Sequence, residues 1–131
     1  NIEVKSDPNW NPVGISVINT EEPIRPTPPF PAYPSGHATF GSVFFELLKY
    51  EFGDSTPFTF VSDEYNGKYS DPLRGIRPFI PVRFKNFTDA ENQNGISRIY
   101  NGSHWNFDNE AGQIMGRKIA KYILHNTQRF D

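Results

Sequence analysis

Cysteine is absent from the 131 residues. That excludes a disulfide framework, Cys-ligated zinc, iron–sulfur clusters and thiol catalysis, and leaves the redox compartment open. Neither charge dominates: 13 Lys and Arg face 15 Asp and Glu, a net of −2. A chain with no basic field lacks the electrostatic footprint of a nucleic-acid binder. Long apolar runs are missing too. The longest candidate, Phe40 to Leu48, is broken by Gly41, Ser42 and Glu46. It falls far short of the roughly 18 residues that suggest a membrane span. No signal peptide is visible, and the chain opens on Asn1. A processed product or a piece of something longer is the expectation. At this length one domain is the natural reading.

Proline and phenylalanine are plentiful, with 12 of each, and six of the prolines crowd between Pro23 and Pro34. Such a tract cannot continue a helix or fill a central strand, so it reads as a stiff, extended connector. Residues 1–34 look irregular, with one weak strand candidate from Gly14 to Asn19. The pattern changes at Ser35. Phe40, Val43, Phe44, Leu47 and Leu48 recur at steps of three and four, which predicts an amphipathic helix to Phe52. Ser35 is its expected N-cap and Gly53 its stop.

Residues 54–86 read as a proline-broken loop. Phe58 to Val61 is a short strand candidate, Asn66-Gly67 marks a turn, and Arg74, Arg77 and Arg83 read as solvated. A second helix is predicted from about Thr88 to Tyr100, where Thr88 and Glu91 have capping-box spacing. Ala90, Ile96, Ile99 and Tyr100 supply its apolar positions, and Asn101-Gly102 would end it. A third helix is predicted from near Asp108 to His125–Asn126, with Ile114, Met115, Ile119, Tyr122 and Ile123 as its apolar face. Gly112 and Gly116 lie one helical turn apart. In a soluble helix that spacing points to close helix packing.

Two short segments carry chemistry. In Pro34-Ser35-Gly36-His37 a histidine stands at the mouth of the first helix. Unpaired first-turn N–H groups and the helix dipole make such an end an oxyanion cradle. Ser35 adds a hydroxyl, and Gly36 allows close approach of backbone to ligand. The second segment runs from Ser97-Arg98 to His104 and Asp108. Arg98 offers a planar fork of donors to a tetrahedral oxyanion. His104 can act as a ligand, and Asp108 can fix its tautomer from the other ring nitrogen. Taken alone, each segment also fits an ordinary helix terminus.

Together the two segments resemble the superfamily of vanadium-dependent haloperoxidases and type-2 acid phosphatases. Its P-S-G-H motif stands at Pro34 to His37. Its S-R, five residues, H, three residues, D motif is met by Ser97, Arg98, His104 and Asp108. PPFPAYPSGHATFG, FVSDEYNG, ENQNGISRIYNGSHWNFD and DPNWNPV resemble the chloroperoxidase-like branch. Phe30 leans the same way, since algal bromoperoxidases carry histidine there. The implied fold is mainly α, a helical-bundle portion of this superfamily's fold with long Pro-rich loops. Residues 1–131 would form the C-terminal part of one helical domain, with 1–34 as lead-in and 35–131 carrying the oxyanion site.

The resemblance implies vanadate as cofactor, with hydrogen peroxide and halide as reactants and hypohalous acid as product. It implies His104 as ligand to the vanadium and Arg98 as the counter-charge. The Ser35 hydroxyl and Gly36 N–H would be oxyanion donors, His37 the acid–base, and Asp108 the residue that orients His104. An exported location, secreted or periplasmic, is the family expectation. Homo-oligomerisation is left open. Two other readings stay open: a phosphatase of the same superfamily with His104 as nucleophile, and a non-catalytic interaction module.

One family motif is missing, a lysine, six residues, then Arg-Pro. Arg25-Pro26 lies too close to Ser35, and Lys68 with Arg77-Pro78 has the wrong spacing. The rest of the same protein, or a second chain, would have to supply that lysine and arginine, so this segment alone is expected not to be competent. It is also expected to expose surface that faces a core in the whole protein. Of two sequons, at Asn86 and Asn101, the second is expected to carry no sugar, because a glycan there would obstruct the site.

Overall fold

The computed structural model describes residues 30–71 and 75–127. The element order is α1 (Gly36–Phe52), β1 (Phe58–Asn66), β2 (Ser70–Asp71), β3 (Gly75–Ile76), β4 (Phe79–Phe84), α2 (Phe87–Tyr100) and α3 (Asn106–Asn126). Three helices dominate, as the sequence reading expects. Most of the Pro-rich lead-in, with its strand candidate, lies outside the described residues, as does Arg74.

Helix α1 begins and ends on local signals. The Ser35 hydroxyl accepts the Ala38 N–H at 3.3 Å. Gly53 stops the helix at φ 76°, in the left-handed region that favours glycine, and donates its N–H to the Lys49 carbonyl. The next connection is pinned at once. Asp54 accepts from the Thr88 N–H and from the Thr88 hydroxyl, both at 2.8 Å. These bonds hold the Asp54 carboxyl below its ordinary range.

Thr88 therefore does not cap α2. Asn86 is the N-cap, and its side-chain oxygen accepts the Asp89 N–H at 2.7 Å. The expected partner in the capping box, Glu91, is instead fully buried. The spacing was present, but tertiary partners claimed both side chains.

The expected loop at 54–86 is largely a hairpin. β1 pairs antiparallel with β4, Phe58 opposite Phe84 and Val61 opposite Pro81, with an irregularity between Val61 and Asn66. β2 and β3 pair at its tip. Phe, Val and Thr favour this pairing, and Pro81 is tolerated because a two-stranded sheet consists entirely of edges. Arg77 is buried rather than solvated. Its guanidinium meets Asp71 at 2.8 Å and Glu64 at 3.1 Å, and lies over Tyr65 at 5.1 Å. Tilted ring contacts run from the hairpin pair Phe58 and Phe84 through Phe87 on α2 to Phe45 on α1.

The helices pack on unexpected faces. α3 meets α1 through small residues, with Gly112, Gly116 and Ala120 buried beside Asp108 and Asn109. α1 contributes Ala38, Thr39 and Ser42 to its own buried face. A Cβ on Gly112 would stand 2.6 Å from the Ser35 carbonyl, and one on Gly116 would strike the Thr39 carbonyl. The glycine pair is thus a close-packing device, as its spacing predicts. The predicted apolar faces are covered only in part: Ala90 is buried and Val43, Leu47, Leu48 and Ile123 are half-buried. Phe40 is 75% exposed, Phe44 57% and Ile114 53%; Met115, Ile119 and Tyr122 are exposed too. Among the described residues nothing covers these side chains. Exposed apolar surface was the expectation for a segment of a larger bundle, and exposed apolar side chains are observed. No helix among the described residues is long and apolar enough to cross a membrane.

Candidate functional site

The two chemistry-bearing segments meet. The Ser35 N–H donates to the Asp108 carbonyl at 3.0 Å, which fastens the mouth of α1 to the first turn of α3. From the other side, the Asn94 side-chain amide on α2 donates to the His37 carbonyl at 3.0 Å. Sequence reasoning missed Asn94, and no local signal marks it.

Arg98 and His104 are held together by the way α2 ends. The Ser103 N–H reaches back to the Arg98 carbonyl at 3.0 Å, and Gly102 N–H to the Ile99 carbonyl at 2.9 Å. Gly102 sits at φ 75°. This is a Schellman motif, which only a residue free to adopt left-handed backbone closes cheaply. The His104 N–H also shares the Arg98 carbonyl, at 3.3 Å. The Asn101-Gly102 stop read from the sequence thereby becomes the device that places Arg98 and His104 on one turn.

His104 is buried, and its Nδ1 lies 3.3 Å from Asp108 Oδ2. If that nitrogen carries the hydrogen, Nε2 keeps its lone pair for a ligand. Asp108 Oδ2 also accepts the Trp105 N–H at 3.0 Å, so α3 starts at Asn106, two residues before the predicted opening at Asp108. Asp108 is fully buried, and its Oδ1 has no hydrogen-bond partner.

Several features fit a tetrahedral oxyanion. The Arg98 Nε is buried and has no acceptor. A buried guanidinium donor left unpaired is costly and calls for an anion; burial also pushes the Arg98 pKa down. Nothing lies within 4 Å of where a Gly36 Cβ would stand, so the helix mouth is open to a ligand. Ser35 uses an oxygen lone pair in capping and keeps its hydroxyl hydrogen free to donate. No group of three or more His, Cys, Asp or Glu gathers among the described residues.

His37 is exposed at the helix mouth. Its pKa is held below 6.5, first by partial burial, then by the charges of Arg98 and His104. The three side chains therefore share one electrostatic neighbourhood. A depressed imidazole pKa means that the unfolded chain binds the proton more readily than the fold does. The contribution of His37 to stability is complete above 6.5 and is lost as pH falls through the folded value. Imidazole proton NMR of the unliganded protein, with His37→Gln to assign the resonance, is expected to show titration below 6.5. A midpoint at or above 6.5 would contradict the arrangement.

Comparison with known proteins gives one consistent result. Residues 2–130 match the family model described as the VCPO second helical-bundle domain. The chain is 33% identical over 132 residues to vanadium chloroperoxidase of Curvularia inaequalis, covering 82% of this chain and 22% of that protein. It is similar to the crystal structure of a bacterial vanadium-dependent iodoperoxidase, with 28% identity and TM-score 0.63, covering 91% of this chain and 24% of that one. A holo-type bacterial vanadium-dependent chloroperoxidase is similar in fold, with 18% identity and TM-score 0.53, covering 70% of this chain and 19% of that one. The chain thus spans less than a quarter of the length of these relatives.

Proposed function

As the chain belongs to the vanadium-dependent haloperoxidases, through their second helical-bundle domain, we propose that it carries one side of a vanadate site that oxidises halide with hydrogen peroxide. The observation that carries this reading is the meeting of two separate segments. The α1 mouth is bonded to the α3 start, beside an arginine whose buried Nε has no acceptor.

His104 would hold vanadate through Nε2, with Asp108 fixing its tautomer at Nδ1. Arg98 would balance the anionic charge. The Ser35 hydroxyl and the Gly36 N–H would donate to its oxygens. Bound vanadate would supply a Lewis-acidic centre that activates peroxide without changing its own oxidation state. His37, largely neutral near pH 7, would take a proton at its imidazole and return it.

The segment by itself is not a competent enzyme in this reading. Arg98 is its one cation read into the site, and multiply charged vanadate needs more. Arg77, which precedes Pro78, is committed to Asp71 and Glu64. The remaining lysine and arginine belong to the rest of the protein or to a partner chain.

The test uses the intact protein that contains this sequence, stripped of vanadate and then titrated with it. Bromide oxidation by hydrogen peroxide is expected to rise and saturate with added vanadate. Phosphomonoester hydrolysis inhibited by vanadate, with no halide oxidation, would replace this reading with a histidine phosphatase. Neither activity would leave a non-catalytic module.

A further inference from the structure

Glu91 is the largest fully buried side chain among the described residues, and both of its oxygens are occupied. Oε1 accepts from the Ser42 hydroxyl on α1 at 2.7 Å and from Arg117 on α3 at 2.9 Å. Oε2 meets Lys49 on α1 at 2.6 Å. Burial opposes the Lys49 charge, but its bonds to Glu46 and Glu91 outweigh burial and raise its pKa. One carboxylate on α2 therefore grips both other helices.

Its place in the sequence matters. Glu91 precedes Arg98 by seven residues, and Ser42 follows Ser35 by seven. Seven residues are two helical turns, about 10 Å along the axis. The grip thus lies directly below the candidate site, on the same faces of α1 and α2. A second α2–α1 tie lies beside it, the Asn94 amide to the His37 carbonyl at 3.0 Å, but it does not reach α3. The α1–α3 seam is made of small residues, and α2 buries only Phe87, Ala90, Glu91 and Gly95. That seam sets how closely α1 and α3 approach, whereas the charge-assisted hydrogen bonds of Glu91 are directional and tie α2 to both. Setting register is the best-attested use of a buried ionic group.

We infer that Glu91 is a positioning residue for the oxyanion site. It fixes α2 against α1 and α3, and so fixes where Arg98 stands relative to the mouth of α1 and to His104. The inference rests on the oxyanion reading above for its consequence, and on the helix contacts for its cause.

The test uses the intact protein with Glu91→Gln, the double variant Lys49→Met/Glu91→Gln, and Thr88→Val as a control elsewhere on α2. Two quantities are read: hydrogen exchange of segment 97–105 without ligand, and vanadate affinity by calorimetry. Glu91→Gln is expected to speed exchange in 97–105 about tenfold, to leave the β1–β4 sheet unchanged, and to weaken vanadate about tenfold. The double variant removes the stranded lysine and is expected to recover thermal stability but not affinity. Thr88→Val is expected to lower stability with neither readout moved. If Glu91→Gln does not fold, Ser42→Ala carries the same test with smaller changes of the same sign.

Parent-like exchange in 97–105, a uniform rise across the whole chain, or affinity restored together with stability would each overturn the inference. A parent protein that binds no vanadate would overturn the functional reading instead, and the exchange pattern would still decide the role of Glu91.

Discussion

Replacing His104 with alanine in the intact protein is expected to abolish vanadate binding at concentrations that saturate the parent, and halide oxidation with it. The reasoning starts from burial. His104 is 6% exposed, and its Nδ1 faces the Asp108 carboxylate, so only Nε2 is left for a ligand. Removing the imidazole removes the nitrogen donor proposed for vanadate while leaving Arg98 and the α1 mouth in place. Residual binding would then be that of an ordinary anion at a helix terminus. Asp108→Ala acts one step further out. It removes the group that orients His104, and changes to such groups typically lower affinity roughly 10–100-fold. It also frees the Trp105 N–H at the start of α3, a capping loss of about 1 kcal/mol. The expected order of affinities, by calorimetry on the stripped protein, is parent, then Asp108→Ala, then His104→Ala. Vanadate bound by His104→Ala as tightly as by the parent would remove His104 from the ligand role.

How far the sequence foretold this arrangement depended on the range of the forces involved. Ser35, Gly53 and Asn101-Gly102 were readable because caps act within a few residues, and each stands where local chemistry puts it. Gly112 and Gly116 were readable because their spacing has a steric meaning on any helix. Glu91 was misread, since capping-box spacing is also the spacing of an ordinary pair on one helical turn. What decided its role were Ser42, Lys49 and Arg117, which are 49, 42 and 26 residues away. Arg77 was misread because the unforeseen hairpin brings it to Asp71 and Glu64, six and 13 residues away. The hairpin was hidden by prolines that a wide sheet would reject and a two-stranded one accepts. The apolar stripes of α1 and α3 misled in another way. Periodicity reports that a face will be covered, not by which elements. Phe40, Phe44 and Ile114 remain exposed because the described elements bury a different face of each helix.

Gly116→Ala is expected to destabilise the protein by about 2 kcal/mol, although alanine is the better helix former. In an open helix the exchange would gain up to about 1 kcal/mol. Here the new Cβ would strike the Thr39 carbonyl and stand 2.7 Å from Ser42 Cβ and 3.1 Å from the Val43 nitrogen. Two of those three neighbours are backbone atoms and the third is a Cβ, so none can swing aside as a side-chain tip would. The relief must come from α1 moving off α3. That movement carries Ser42 away from Glu91, and Ser35 away from its bond to the Asp108 carbonyl. Stability and oxyanion affinity should therefore fall together in Gly116→Ala, read by thermal unfolding and by vanadate calorimetry. Gly53→Ala supplies the contrast: its Cβ meets nothing within 4 Å, but φ of 76° makes the substitution strained. It should lower stability while sparing affinity, because the end of α1 lies about 27 Å, or eighteen residues, from Ser35. A Gly116→Ala protein as stable as the parent would mean that the α1–α3 seam is looser than drawn, and the site on its rim would lose its main mechanical support.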